Sequence, residues 1–200
     1  MSKTKILLVL AITLTAQSCA LNPFGGSDQV SGGVLKSSDS GESWTLFASV
    51  GDSGSLKSVS SARIRMDMKN DGTLYLASPT HGVFQSVNGG QNWKKILGNA
   101  KIYDLQINPT NSDELFAGGT QGSKARVFKS SDRGSTWVEV YSESLTNNFV
   151  SAVSFDPRDP KVIYIGLSTG EIIVSRNSGS TWDLLSTISN RVLEIVPKIS

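Results

Sequence analysis

A single cysteine, Cys19, and a single histidine, His81, stand among the 200 residues, and these scarcities exclude much chemistry at once. One thiol closes no internal disulfide, so stability has to come from packing. No cluster of Cys, His and carboxylates has ligand spacing, and no glycine-rich loop opens a helix to cradle phosphate, so neither a metal nor a cofactor is expected. His81 lies in the hairpin Pro79-Thr80-His81-Gly82 and reads as an exposed turn residue rather than a base. The longest apolar run, Ile6 to Leu14, is too short to cross a bilayer as a helix. Charge is not in excess either. The 19 Lys and Arg against 17 Asp and Glu become equal once Lys3 and Lys5 leave with a cleaved leader, so no basic field argues for nucleic acid.

All four tryptophans, by contrast, sit in one octapeptide pattern: Ser, any, Asp or Asn, any, Gly, any, any, Trp. Its fixed positions are Ser37, Asp39, Gly41 and Trp44; Ser86, Asn88, Gly90 and Trp93; Ser130, Asp132, Gly134 and Trp137; and Ser175, Asn177, Gly179 and Trp182. Four glycines each three residues before a tryptophan would coincide by chance about once in ten thousand, so the repeat is real. The Asx side chain is expected to accept backbone N–H groups two residues on. The glycine supplies the positive φ of a tight hairpin. The indole then opens the outgoing strand as an apolar anchor.

The register extends beyond the octapeptides. With Met68, Pro109 and Pro157 equivalent, Ile64 and Met66 align with Leu105 and Ile107, and with Val153 and Phe155, as alternating apolar pairs of a first strand. Second strands follow as TLYLA, ELFAG and VIYIG, third strands as GVFQS, RVFKS and IIVSR, and fourth strands as NWKKIL, TWVEVY and TWDLLS. Asn108-Pro109 and Asp156-Pro157 mark turns between first and second strands. Tryptophan spacings of 49, 44 and 45 residues match a four-stranded blade. An insertion in GGTQGSKAR lengthens one unit.

The pattern predicts an all-β chain, a β-propeller of four-stranded antiparallel blades, as an incomplete N-terminal part of a larger ring. Residues 30–50 read as a half-blade, with WTLFASV as its fourth strand. Residues 61–98, 101–142 and 149–187 read as blades. Residues 190–200 read as the first strand of a further, truncated blade, with Leu193, Ile195 and Pro197 in register. Asp67, Asp71, Asp104, Asp113, Asp156 and Asp159 fall on first strands or their turns. Two of them facing the channel would form an acid and base pair, but turn closure and solvated surface explain them more economically.

Two resemblances rest on these residues. Lys3, Lys5, the apolar run and Thr15-Ala16-Gln17-Ser18-Cys19 resemble a bacterial lipoprotein signal with its lipobox. That implies a signal peptide at 1–18, an acylated Cys19 that anchors the chain to the membrane outside the cytoplasm in a bacterial cell envelope, and a tether through residue 29. The octapeptide is similar to the Asp-box, or bacterial neuraminidase repeat, which in its families forms the hairpin between third and fourth blade strands, away from the active face.

Residues 30–200 resemble the photosystem II stability and assembly factor-like proteins and the sortilin N-terminal domain. That resemblance implies a non-catalytic scaffold binding a protein or glycan partner, or an assembly factor for a membrane complex. Sialidases carry an Arg-Ile-Pro motif, of which Arg63-Ile64-Arg65 is only an echo. Xyloglucan-type glycosidases carry similar boxes and Asp-Pro turns, so a fragment of a glycoside hydrolase, with its active residues in other blades, is the alternative expectation.

Overall fold

The computed structural model describes residues 9–10, 32–52 and 54–197; Cys19 and its expected tether lie outside the described residues. Apart from a short 3-10 turn at Leu56–Ser58, the elements among the described residues are β-strands. A first sheet holds β1 (Val9–Leu10), β2 (Val34–Lys36) and β3 (Thr45–Phe47) in that order. Next come β4 (Ser49–Val50) and β5 (Gly54–Ser55). Blade A contains β6 (Arg63–Met66), β7 (Leu74–Ser78), β8 (Gly82–Ser86) and β9 (Asn92–Leu97). Blade B contains β10 (Lys101–Ile107), β11 (Leu115–Gln121), β12 (Lys124–Ser130) and β13 (Val138–Thr146). Blade C contains β14 (Val150–Phe155), β15 (Ile163–Leu167), β16 (Glu171–Ser175) and β17 (Asp183–Thr187). Within each blade consecutive strands pair antiparallel. The insertion in blade B adds two rungs to its central hairpin, down to Gln121 opposite Lys124.

The cores lie between sheets. Val34, Leu56, Leu74, Phe84 and Trp93 pack the first sheet onto blade A. Tyr75, Val83, Ile102, Leu105 and Phe128 pack blade A onto blade B. Phe116, Val127, Val153, Phe155 and Ile165 pack blade B onto blade C. Neighbouring positions of one strand, such as Val83 and Phe84, therefore both count as core, because each face of a blade meets a different neighbour. That is why the third strands read as apolar runs rather than strict alternation.

A latch recurs at each of these interfaces. The residue before each of the first three octapeptides donates to the carbonyl of the fourth octapeptide residue in the next blade: Lys36 Nζ to Gly89 O at 3.4 Å, Gln85 Nε2 to Arg133 O at 3.2 Å, and Lys129 Nζ to Ser178 O at 3.0 Å. Glycine at the fifth position is required by closeness as well as by φ. A Cβ on Gly134 would stand 2.4 Å from Ile96 Cδ1, and one on Gly179 would stand 3.0 Å from Phe116 Cε1, both in the preceding blade.

Three features depart from the sequence reading. The expected fourth strand WTLFASV divides at Ala48: β3 stays with β2, while β4 turns to pair parallel with the outer edge of β9. An open edge is a ready acceptor for such a strand. By the same logic the slot beside β2 is filled by Val9 and Leu10, paired with Lys36 and Leu35, so two residues of the run expected as a leader join the sheet. Residues 191–197, expected as a first strand, form no strand. Val192, not Leu193, is buried. It covers Gly166 and accepts a 2.6 Å hydrogen bond from Ser151 Oγ at its carbonyl, while Leu193 and Val196 are exposed. No further strand follows among the described residues to offer it a ladder.

Trp93 is the most deeply set of the four indoles, 2% exposed, and its Nε1 has no partner among the described residues. Trp93→Ala is therefore expected to cost about 3–5 kcal/mol in urea unfolding. Trp93→Phe should cost far less, since it removes an unpaired donor along with some contact area.

Candidate functional site

The four octapeptides fold alike around one buried serine hydroxyl. In blade B, Ser130 Oγ accepts the Gly134 N–H at 2.8 Å and the Asp132 N–H at 3.3 Å, and donates to Asp132 Oδ1 at 2.8 Å. Ser37, Ser86 and Ser175 do the same toward Gly41, Gly90 and Gly179. The Asx oxygen reaches four residues on, not the two expected: Ser43, Asn92, Thr136 and Thr181 N–H groups donate to it at 2.8–2.9 Å. The serine occupies the nearer N–H, which is why the carboxylate is left for the farther one.

Two consecutive residues, rather than glycine alone, are left-handed: Ser40 and Gly41, Gly89 and Gly90, Arg133 and Gly134, Ser178 and Gly179. The fourth-position N–H binds back into its own blade, at Gly72 O, Asp113 O and Lys161 O. Trp137 and Trp182 Nε1 close the turn onto Gly134 O and Gly179 O, and Trp182 also reaches Val140 O of blade B at 2.8 Å. These groups are satisfied within the protein, and they offer no ligand an open donor set.

Hydrogen bonding to the Ser43 hydroxyl and N–H pulls the half-buried Asp39 carboxyl down to about 2, and the Thr136 hydroxyl and N–H lower Asp132 in the same way. A carboxyl lowered by folding contributes stability above its unfolded value of about 3.9 and loses it as pH falls through the folded value. Ser130→Ala, which strands the buried Gly134 N–H, is expected to cost about 1–3 kcal/mol. Asp132→Asn should be nearly neutral at pH 7, because Asn177 already fills this role with its amide donating to Thr181 Oγ1. It should also flatten the acid limb of a stability-versus-pH curve below about pH 4.

The innermost strands hold the carboxylates. Asp67, Asn108 and Asp156 occupy equivalent positions and close equivalent turns onto the N–H groups of Lys69, Thr110 and Arg158 at 2.8–2.9 Å. Asp67 also accepts Ser112 Oγ at 2.8 Å, joining blade A to blade B. Burial works against its ionisation, but these hydrogen bonds outweigh it and lower its pKa. Asp113 forms an exposed pair with Arg133 at 2.6 Å, and Asp159 accepts the Lys161 N–H. Asp71 is exposed and His81 half-buried.

Asp104 corrects the reading of these residues as turn closers or solvated surface. It sits on β10, 4% exposed. Its Oδ1 meets Arg65 Nη2 at 3.2 Å, Arg63 Nε at 3.7 Å and the Leu105 N–H at 2.9 Å, while Oδ2 accepts the Val153 N–H at 2.9 Å. One carboxylate thus ties β6, β10 and β14, the first strands of three blades. Burial raises its pKa despite the opposing pull of the Val153 N–H and Arg65, so proton release there costs the fold and the contribution runs opposite in sign to that of Asp39. The signal in the sequence was Arg63 and Arg65 on the preceding first strand, visible only once the strands were adjacent. Tyr103, next to Asp104 on β10, packs its ring 4.4 Å from that of Phe149 at a tilt of 34°, with Arg191 over Phe149 at 4.8 Å. Asp104→Ala is expected to cost about 1.5–3 kcal/mol, the worth of hydrogen bonds to a charged group, read by thermal or urea unfolding.

No family model matches the chain. Over 112 residues it is 30% identical to the oligoxyloglucan-reducing end-specific xyloglucanase of Emericella nidulans, a stretch covering 51% of this chain and 14% of that enzyme. Over 155 residues it is 24% identical to a xyloglucanase of Hypocrea jecorina, covering 76% of this chain and 17% of the relative. The crystal structure of the GH74 xyloglucanase from Xanthomonas campestris superposes with a TM-score of 0.64 at 15% identity, over 90% of this chain and 28% of that one. The chain spans less than a third of the length of each of these proteins. The likeness of structure, together with the repeating four-stranded sheets, establishes the fold as that of a β-propeller.

Proposed function

We propose that this chain is the blade-bearing part of a membrane-anchored, extracytoplasmic β-propeller that acts as a binding scaffold for a protein or glycan and performs no reaction with its own residues. The observation that carries this reading is the commitment of the inner carboxylates to structure. Asp104 is enclosed by two arginines and two backbone N–H groups, and Asp67 and Asp156 close turns. A general acid or nucleophile needs its oxygen free to reach substrate. The octapeptides, read here as Asp-boxes, support the same view, since their polar groups are spent on the turn itself. A second reading is favoured by the 30% identity over 112 residues to a xyloglucanase: the chain would then be a piece of a glycoside hydrolase whose reacting groups lie in other blades.

Incubation with xyloglucan oligosaccharides tests whether the chain's own residues perform a reaction. The scaffold reading expects no release of reducing ends, from the chain as it stands or with Asp104→Asn. Hydrolysis abolished by substituting one carboxylate would overturn both readings, since neither gives this chain reacting groups of its own. The anchor is tested by mass spectrometry of the protein expressed with its leader in a bacterium. Acylation at Cys19 and partition into membranes are expected, both lost in Cys19→Ser. A soluble, unacylated product carrying intact Cys19 would contradict it.

A further inference from the structure

We propose that the open face of blade C docks the first sheet of a second copy of this chain, so that two copies close one ring; the inference goes beyond the scaffold reading and does not depend on it. The interfaces between complete blades seat an octapeptide turn on three apolar positions of the preceding blade. Blade A offers Tyr75, Val83 and Ile96 to the turn at Gly134 and Trp137. Blade B offers Phe116, Val127 and Val140 to the turn at Gly179 and Trp182. Tyr75, Val83, Phe116 and Val127 are wholly buried as a result.

Blade C repeats the seat and leaves it unfilled. By strand register Tyr164, Ile172 and Leu185 stand at the same three positions, Leu185 at the bulge where β16 meets β17. Tyr164 and Ile172 are only half-buried and Leu185 is 50% exposed, around an open hollow of about 460 Å³. The first octapeptide is the counterpart, a turn without a seat. Gly90, Gly134 and Gly179 are buried, whereas Gly41 is half-buried, and a Cβ there would meet only its own Trp44 ring, at 3.9 Å, among the described residues. Trp93, Trp137 and Trp182 each join a core shared with the preceding sheet; Trp44 joins none among the described residues. Leu35 is half-buried where Phe84 and Phe128 of the later blades are buried.

The strand missing from the first sheet singles it out as the occupant. Val192 lies over Gly166 as Val150 and Val153 of β14 lie over Gly118. Residues 192–197 therefore take the place beside blade C that a next blade gives to its own first strand, and Ile195 and Pro197 wall the hollow on that side. The first sheet has β2 and β3 as third and fourth strands and β1 in second place, with no strand in the first place among the described residues. Docked on blade C of another copy, it leaves residues 192–197 their place. This holds whether or not β1 departs with a cleaved leader. Val174 stands where Lys36, Gln85 and Lys129 latch onto the next turn, so this contact is weaker than those inside the chain. A contact between unlike faces repeats until it closes on itself. Each copy brings four sheets, and a ring of about eight lies within the usual range of propellers.

Sedimentation of the full chain at micromolar concentration, in a density-matched non-ionic detergent, is expected to show a dimer. Leu185→Lys places a charge in the seat and Trp44→Glu places one in the turn, and each alone should weaken the dimer at least about tenfold. An equal mixture of the two variants should dimerise again, because one of its two interfaces is unaltered. Benzoylphenylalanine placed at Tyr164 of an isotope-labelled copy should photo-cross-link to the unlabelled peptide that holds Gly41 and Trp44. A monomer at every concentration, a dimer indifferent to Leu185→Lys, or a cross-link to another segment or another protein would overturn the proposal. Should Trp44→Glu fail to fold, Leu185→Lys and the cross-link still decide, since Leu185 is exposed and belongs to no core.

Discussion

One hydroxyl per repeat governs this structure. The buried serine that opens each octapeptide holds the glycine N–H four residues on and, at the same time, the Asx side chain that secures the start of the outgoing strand. With these bonds made, two successive left-handed residues are tolerated, and the turn projects its fourth carbonyl toward the preceding blade. Without them, that backbone would leave buried donors unpaired at the point where two sheets meet. The local turn and the packing of sheet on sheet are one requirement, which explains why serine, Asx, glycine and tryptophan repeat together while the residues between them vary.

What passes from blade to blade is the same few contacts. A long side chain before each of the first three serines reaches the next turn's carbonyl, Ile96 and Phe116 lie under Gly134 and Gly179 of the next blade, and apolar side chains of both sheets fill the space between. Near the inner strands Asp104 adds an ionic tie across three blades. Such a structure is close to a one-dimensional stack, in which each sheet is stabilised mainly by its neighbours.

The parts of this fold legible in the sequence were those whose cause is local. Positive φ at Gly134, the turn at Asn108-Pro109 and the apolar run of Gly82–Ser86 follow from residue types and spacing. Contacts between distant segments were not legible. The burial of Asp104 depends on Arg63 and Arg65, some forty residues earlier in the chain. The division of the chain at Ala48 depends on the free edge of β9, and the burial of Val192 depends on Gly166 having no side chain. The left-handed Arg133 escaped because its φ is imposed by a backbone bond to Asp113 O, not by its own preference.

The central claim, that the octapeptide turns are structural fastenings between sheets, is tested most directly by amide hydrogen exchange at the glycines they enclose. Gly90, Gly134 and Gly179 N–H groups, all bonded to buried serine oxygens, are predicted to exchange only through opening of the sheets, with protection comparable to that of the Val127 and Ile165 amides. Exchange at the rate of an open surface loop, with the neighbouring strands still protected, would contradict the claim.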